Sequence, residues 1–377
     1  MTTNKKILIL TPFFYPHTGG SQQYMEELYA QLLQDTESLS ADVLTYNTDN
    51  APKVSHVRGL DIYRISCWNI LPGQFSLPNP FELISFLQKN SSKYDLIHCS
   101  TRFFDTSWWG PIYAKITGKK ILLTDHCAFH PIHQNNLIQL VSTSLDLLTS
   151  SLFIHMFDKV YTTNNAAKVF LYKTFHQKSE VMYGGIDQKT FYPPTQKKSD
   201  KRTKVLFVGR MIDSKGARFL FEIAQTLPGV DFIFVGPGPL EAEFRAKIQA
   251  KGLSHINIIG QKTKSEVAEL MREADILVHP SYHHEGFPNV LTEAGASKLA
   301  VIATNVGGSN EIIIDKKTGI LIEPKNQELL TQKLTELIKD KKLQEQLAEN
   351  LYHHVTKNFS WKKSAKTLNE EIQRLTK

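Results

Sequence analysis

The stretch HPSYHHEGFPNVLTEAGASKLAVIATNVGGSNEII, residues 279–313, decides how this chain is read. It runs as a strand end, a loop, a helix, a short strand, a glycine-rich loop and a further helix. Pro288 suits the first turn of a helix, where its missing N–H costs nothing. Glu285 then lies in the loop and Glu293 inside the helix. The helix fades between Gly295 and Lys298, and Ala300-Val301-Ile302-Ala303 reads as a buried strand. Gly307-Gly308 follows, with Ser309 placed to cap the next helix. Two carboxylates therefore stand at one helix entrance, beside backbone N–H groups that favour an anion. A carboxylate accepts two hydroxyls of a sugar or ribose, and amides at a helix start hold a phosphate. The pattern suits a ligand that is both polyol and phosphate, such as a nucleotide sugar. It also admits a plain surface loop with two solvated glutamates, because short motifs recur by chance.

Outward from this stretch, apolar runs recur at 204–209 (KVLFVG), 231–236 (DFIFVG), 256–260 (INIIG), 275–280 (DILVHP) and 300–304 (AVIAT), with helical patterns between them. Alternation of this kind predicts βα units and a parallel sheet. VGRMIDSKG, residues 208–216, follows the first of these strands and sets Arg210 and Lys215 at its C-terminal end. Arg offers a fork of donors and Lys a point charge, so the pair can clamp a diphosphate. A solvated basic turn is the plain alternative. Gly236, in the turn VGPGPL, and Ile259-Gly260 are weaker candidates for the nucleotide or its base, because sharp turns use glycine for its freedom alone.

The first half repeats the scheme. Strands are predicted at 5–10, 41–46, 60–66, 94–100 and 119–126. Ligands of such sheets sit beyond the C-terminal strand ends. Gly19-Gly20, Ser100-Thr101-Arg102 and Asp125-His126 all follow strands and should share one edge. Gly19 and Gly20 precede a helix expected from near Ser21 and leave backbone open to a phosphate, although a simple turn explains them too. Residues 135–158 form a long amphipathic helix with Leu137, Leu140, Val141, Leu145, Leu148, Leu152 and Phe153 on one stripe. Such stripes usually face the core; a lipid-facing role is the alternative. Residues 183–202, with Pro193-Pro194 and a charged run, read as a linker. The tail from Phe359 carries Trp361, Ala365, Leu368, Ile372 and Leu375 at helical spacing.

The 377 residues, 41% hydrophobic and 21% charged, suit two globular domains of about 100–200 residues each. The net charge of +7 is uneven: residues 1–190 carry 16 basic and 15 acidic side chains, residues 191–377 carry 28 and 22. A basic second half suits a polyanionic ligand or an acidic membrane surface. The basic residues are scattered without interleaved aromatics, which argues against nucleic acid. Cys67, Cys99 and Cys127 lie in or beside apolar runs, as expected of a reducing cytoplasm. No stretch reaches ~18 uninterrupted apolar residues, so no transmembrane helix is expected, and the apolar run Ile7–Leu10 is too short for a signal peptide. His126, His130 and His133 are spaced like metal ligands, as are His279, His283 and His284. Pro131 interrupts the first set, and no Cys or Asp completes a tetrahedral site, so no metal is expected. His126, at a strand end, is better placed to hydrogen-bond a sugar hydroxyl, or is an ordinary loop histidine.

Taken together, Glu285-Gly-Phe-Pro-Asn-Val-Leu-Thr-Glu293, VGRMIDSKG, the Gly19-Gly20 turn, YDLIHCS, the strand ending at His126 and YGGIDQKTFYPP resemble, in order, the retaining glycosyltransferases of family four. The resemblance implies an α/β GT-B fold: two Rossmann-like domains facing each other across a cleft, with the last helix crossing back to the N-terminal one. It implies an acceptor domain at 1–187 joined by residues 359–377, and a nucleotide-sugar domain at 195–355. By the same resemblance Glu293 holds the ribose. Arg210 and Lys215, helped by Gly19 and Gly20, hold the diphosphate, and Glu285, Gly286, Phe287 and Pro288 contact the sugar and phosphate. Asn289 and Val290 lie on the nucleotide side. His126 and Glu285 are the candidates beside the scissile bond. The implied donor is UDP- or GDP-linked, with no metal or cofactor. The implied acceptor is a glycan or a lipid-linked sugar, in cell-surface glycan, exopolysaccharide or glycolipid synthesis, with peripheral contact to the inner membrane surface. This sequence departs from the family's pattern at Ser100, where many members carry histidine, and at Thr124-Asp125-His126-Cys127, where Gly or Ser usually follows the histidine. A nucleotide-sugar epimerase and a non-catalytic sugar-nucleotide-binding subunit remain as competing readings.

Overall fold

The computed structural model describes residues 4–17, 19–71, 74–131, 133, 135–195, 202–282 and 286–377. They divide into two units: one ends at Gly184 and takes up Trp361–Lys377, the other is Gly185–Ser360.

The first unit contains β1 (Lys5–Leu10), α1 (Gly20–Asp35), β2 (Leu39–Tyr46), β3 (Val54–Val57), β4 (Leu60–Ile65), β5 (Cys67–Leu71), β6 (Phe75–Pro78), α2 (Pro80–Asn90), β7 (Leu96–Ser100), α3 (Thr106–Thr117), β8 (Lys120–Asp125), α4 (Asn136–Phe153), β9 (Lys159–Thr162), α5 (Asn165–Phe175) and β10 (Glu180–Val181). Its sheet has the order β10-β9-β8-β7-β1-β2-β4-β3. Every pairing is parallel except β3 with β4. Side chains alternate across a strand. Ile7 and Ile9 thus enter the core beneath α1, while Leu8 and Leu10 enter the opposite core shared with α2, α3 and α5. Burial on both faces explains why β1 reads as a continuous apolar run. The strands not foreseen, β3, β5, β6, β9 and β10, have two to five residues, too short to carry a period of their own; all but β9, which lies between β10 and β8, are edge or hairpin strands.

The second unit contains β11 (Lys204–Val208), α6 (Ala217–Gln225), β12 (Asp231–Val235), α7 (Leu240–Lys251), β13 (Ile256–Gly260), α8 (Lys264–Glu273), β14 (Ile276–His279), α9 (Asn289–Ala296), β15 (Ala300–Thr304), α10 (Ser309–Ile312), β16 (Ile320–Ile322), α11 (Gln327–Lys339) and α12 (Lys341–Asn358). Its sheet, β13-β12-β11-β14-β15-β16, is wholly parallel. The order reverses at β11, the switch point of a doubly wound sheet. Phe221 of α6 stacks on Phe244 of α7 at 4.1 Å beside Phe234, filling one face.

The last helix, α13 (Trp361–Leu375), belongs to the first unit. Trp361 meets the Tyr24 ring edge-on at 5.2 Å, and Ser364 donates to the Tyr183 carbonyl at 2.7 Å. Trp361, Ala365, Leu368 and Ile372 bury the stripe read from the sequence in the core under α1.

Three local readings are corrected. Ser309 is the first residue of α10 rather than its cap, and its hydroxyl is buried without a hydrogen-bond partner among the described residues. Residues 185–192, read as linker, are packed within the second unit. Ile186 and Phe191 are buried there, Asp187 pairs with Lys264 at 3.5 Å, and Arg272 covers the Tyr192 ring. The third concerns α4. Its apolar stripe does not face the core: Leu137, Leu140, Val141, Leu148 and Leu152 are exposed, while Asp146, Thr149 and Ser150 are buried. A buried cation, Arg102, decides which face turns inward.

Candidate functional site

In the second unit the loops after successive strands are knitted together by backbone contacts. Gly209 N–H donates to Val235 O at 2.9 Å, and Gly236 N–H donates to Gly260 O at 2.8 Å. Met211 N–H donates to Pro237 O at 2.8 Å, and Tyr282 N–H donates to Ser214 O at 3.0 Å. Glycine is required at two of these crossings. A Cβ at Gly236 would stand 2.1 Å from Gly209 O, and one at Gly216 would stand 2.1 Å from Pro280 O. Both residues also have positive φ, 129° and 72°. The ends of β11, β12, β13 and β14 thus form one continuous backbone rim.

Arg210 is exposed on this rim directly after β11, at the switch point. Lys215 is half-buried at the end of a short 3-10 turn, Asp213–Lys215. Gly236, Ile259 and Gly260 lie on the same rim, Gly260 with φ 80° beside an irregularity in the β12–β13 register. Pro288 stands immediately before α9 rather than in its first turn, and no side chain caps that helix. Asn289 and Val290 open α9, and Glu293 is half-buried within it. Gly295 packs α9 against Leu351 and Val355 of α12 so closely that a Cβ would come within 2.9 Å of both. Gly286 and Phe287 precede α9, and the Phe287 ring rests edge-on against Phe359 at 5.3 Å. Glu285, His283 and His284 lie outside the described residues.

In the first unit, parallel pairing brings the ends of β1, β7, β8 and β9 to one edge. Gly19 precedes α1 and Gly20 opens it. Both are exposed, no side chain caps the helix, and a Cβ at Gly20 would meet open space. His126 follows β8. Its ring lies edge-on to Tyr24 at 5.0 Å, and its buried Nε2 has no hydrogen-bond partner among the described residues. Loss of water around the ring pulls its pKa down to about 3, so the imidazole is neutral. Behind it His98 bridges Tyr29 and Thr124 at 2.7 and 2.8 Å and is also held at about 3 by burial.

Two further groups stand at this edge: Arg102, which the sequence placed here without a role, and Asp105, which it missed. Arg102, after β7, is fully buried. It donates to Asp125, to Cys127 O at 2.9 Å, to Phe129 O at 2.8 Å and to Asp146 of α4 at 3.3 Å, with its plane over the Phe170 ring. The guanidinium therefore sets the path of the loop that carries His126. Burial works against its charge, but Asp125 and Asp146 outweigh that and hold its pKa above the usual value. Asp146 also bonds His130 at 2.6 Å, which engages one of the histidines spaced like metal ligands. The second group is Asp105, bonded by Tyr46 Oη and by Trp109 Nε1 at 3.1 Å, and raised by burial to about 6. The only sequence signal for either was a charged residue close behind a strand end.

Two family profiles cover nearly the whole chain in succession: Glycosyltransferase Family 4 over residues 18–190 and Glycosyl transferases group 1 over residues 188–354. An uncharacterised glycosyltransferase of Methanocaldococcus jannaschii is 24% identical over 392 residues, spanning 98% of this chain and 98% of the relative. The phosphatidylinositol N-acetylglucosaminyltransferase GPI3 subunit of Saccharomyces cerevisiae is 23% identical over 379 residues, spanning 96% of this chain and 81% of that one. Among solved structures, Anabaena HepE in complex with UDP-glucose superposes with a TM-score of 0.75 at 20% identity, covering 98% of this chain and 100% of that one. Two doubly wound units, a last helix returned to the first and this structural likeness establish the architecture. The chain is a glycosyltransferase-like protein with the GT-B fold.

Proposed function

We propose that this protein transfers a hexose-type sugar from a nucleoside diphosphate sugar to an acceptor hydroxyl, with retention of anomeric configuration. The observation that carries the donor half is the backbone rim at the switch point of the second unit, where Arg210 and Lys215 follow β11 and Glu293 lies on the neighbouring α9. A diphosphate is held there by two cations and by amides at the uncapped start of α9. Glu293 takes the ribose hydroxyls. Glu285, Gly286, Phe287 and Pro288 take the sugar and its phosphate, and Gly19 and Gly20 add amides from the start of α1. Anabaena HepE, which shares the fold, binds UDP-glucose, and a donor of that class supports this reading.

In the proposed step the bond from the anomeric carbon to the phosphate oxygen breaks. The bond from that carbon to the acceptor oxygen forms on the same face. The acceptor proton passes to the leaving phosphate oxygen, so no separate base is needed. Arg210 and Lys215 stabilise the charge that develops on the diphosphate. Neutral His126 hydrogen-bonds a sugar hydroxyl near the breaking bond. The GPI3 subunit is named for a phosphatidylinositol acceptor, which favours a lipid-linked acceptor here. The test is incubation with a panel of UDP- and GDP-sugars, with and without lipid extract, measuring released diphosphate and assigning the product anomer by NMR. A product of the donor's own anomeric configuration is expected. An inverted product overturns the same-face step, and diphosphate release unaffected by any acceptor overturns transfer.

A further inference from the structure

Helix α4 is built inside out for a helix of a water-surrounded domain. Its one charged residue, Asp146, faces inward with Thr149 and Ser150, where Arg102 and His130 hold it. Its outward face carries Leu137, Leu140, Val141, Leu148 and Leu152, which are 58–69% exposed. α3 packs beside it and adds Ile116, 77% exposed. A contiguous apolar patch of this kind marks a contact surface.

The charges at its rim identify the partner. Between Thr106 and Lys178 the chain carries seven lysines (115, 119, 120, 159, 168, 173 and 178), no arginine and three aspartates. Two of those aspartates, Asp125 and Asp146, are fully buried; Asp158 pairs with Lys120 at 2.7 Å and Glu180, just past this span, pairs with Lys159, so the positive surplus rests on the other five lysines. Lys115, Lys119 and Lys120 line a groove of about 400 Å3 with Met156, in the turn that ends the α4 segment. The basic rim therefore adjoins the apolar face. Protein interfaces are depleted in lysine and anchored by aromatic residues or arginine. The outward residues of α4 named above are all aliphatic, and the rim is lysine. Aliphatic side chains flanked by lysines are what an anionic lipid surface takes up. The segment Asn136–Met156 is long and apolar enough to cross a bilayer. With its polar side locked onto Arg102, it lies along the surface instead.

We propose that the outer face of α4, with Ile116 of α3 and the lysines at 115 and 119, docks the protein onto an anionic phospholipid bilayer. The inner face of the same helix grips Arg102, so the docked element is also the one that fixes the loop of His126. The test uses the full chain, no sugar donor, and two kinds of vesicle: phosphatidylcholine alone, and phosphatidylcholine mixed with phosphatidylglycerol. The wild type should cosediment with the anionic vesicles and more weakly with the neutral ones. Leu140→Ser with Leu148→Ser should weaken binding to both on the order of a hundredfold, from the apolar area lost. Lys115→Glu with Lys119→Glu should weaken binding to the anionic vesicles alone, by about tenfold or more. Leu140, Leu148 and Lys115 are exposed and Lys119 is half-buried at the groove, outside the apolar core, so the melting temperature of each variant should stay close to that of the wild type. Wild type left in the supernatant, or variants that bind as it does, overturns the proposal. So does self-association of the wild type that Leu140→Ser with Leu148→Ser abolishes while vesicles stay unbound, which makes the face a contact between copies. Because no donor is present, none of these outcomes bears on the transfer reaction.

Discussion

The two units share one sheet plan, yet the edges at their strand ends are made of different material. The second unit builds its edge from backbone: carbonyls and amides of successive loops meet at Gly209, Gly236 and Gly260, and Gly216 lies against Pro280. The first builds its edge from buried side-chain charge: Arg102 with Asp125 and Asp146, Asp105 under Tyr46, and two neutral histidines. Backbone suits a ligand part that never varies, such as a diphosphate, because peptide groups cannot drift by substitution. Side chains suit the part that differs between enzymes of one fold. The surfaces diverge as well. Among the described residues, exposed large apolar side chains in the second unit are Tyr192 and Ile314, whereas those of the first include the whole outer stripe of α4.

The sharpest way to break the side-chain edge is Arg102→Ala. It leaves Asp125 and Asp146 buried without their cation and should cost the first unit about 3–5 kcal/mol. Hydrogen exchange should show lost protection around β8 and α4 while β11 and β12 keep theirs. Arg102→Lys should recover little, because one ammonium cannot replace a fork that serves two carboxylates and two carbonyls. Equal loss of protection in both units would mean that the two edges are not separate structures.

On the other edge, Lys215→Ala should remove about 2–4 kcal/mol of transition-state stabilisation while the fold survives. The measurement is kcat/KM beside the melting temperature. Unchanged turnover by the folded variant rules out a diphosphate role. Gly236→Ala tests the backbone rim itself. A Cβ there collides with Gly209 O at φ 129°, so a cost of about 1–3 kcal/mol is expected, confined to the second unit. Weaker binding of free nucleoside diphosphate, read by calorimetry, should accompany it.

The remaining effect is one of pH. His98 and His126 have folded pKa values near 3, below the unfolded value near 6.5. Between those values the unfolded chain binds protons that the folded chain refuses, so stability falls as pH drops from about 6.5. Asp105, raised to about 6, works in the opposite sense below that pH and offsets part of the loss. Protection in β7 and β8 should therefore weaken from pH 7 to pH 5, by about 2–3 kcal/mol. His98→Gln should flatten that slope, whatever it does to stability at pH 7. A slope unchanged by His98→Gln would exclude burial of the neutral ring as its source.

The sequence determined the sheets, because parallel strands covered on both sides must read as unbroken apolar runs, and β1, β8, β11, β12, β14 and β15 do. It determined the helix of Trp361 to Leu375 as an apolar stripe in need of cover, and it set Arg210, Lys215 and His126 behind strand ends. Periodicity is local and survives in a one-dimensional string. Tertiary structure alone decided the rest. Nothing in VGRMIDSKG or VGPGPL reveals that Gly236 must admit the carbonyl of Gly209, a contact between loops 27 residues apart. Nothing in the pattern of α4 shows which face turns inward, since apolar spacing alone favours the leucines. The buried guanidinium of Arg102 reverses that choice: a desolvated cation demands Asp146, and the helix must turn its leucines outward to supply it.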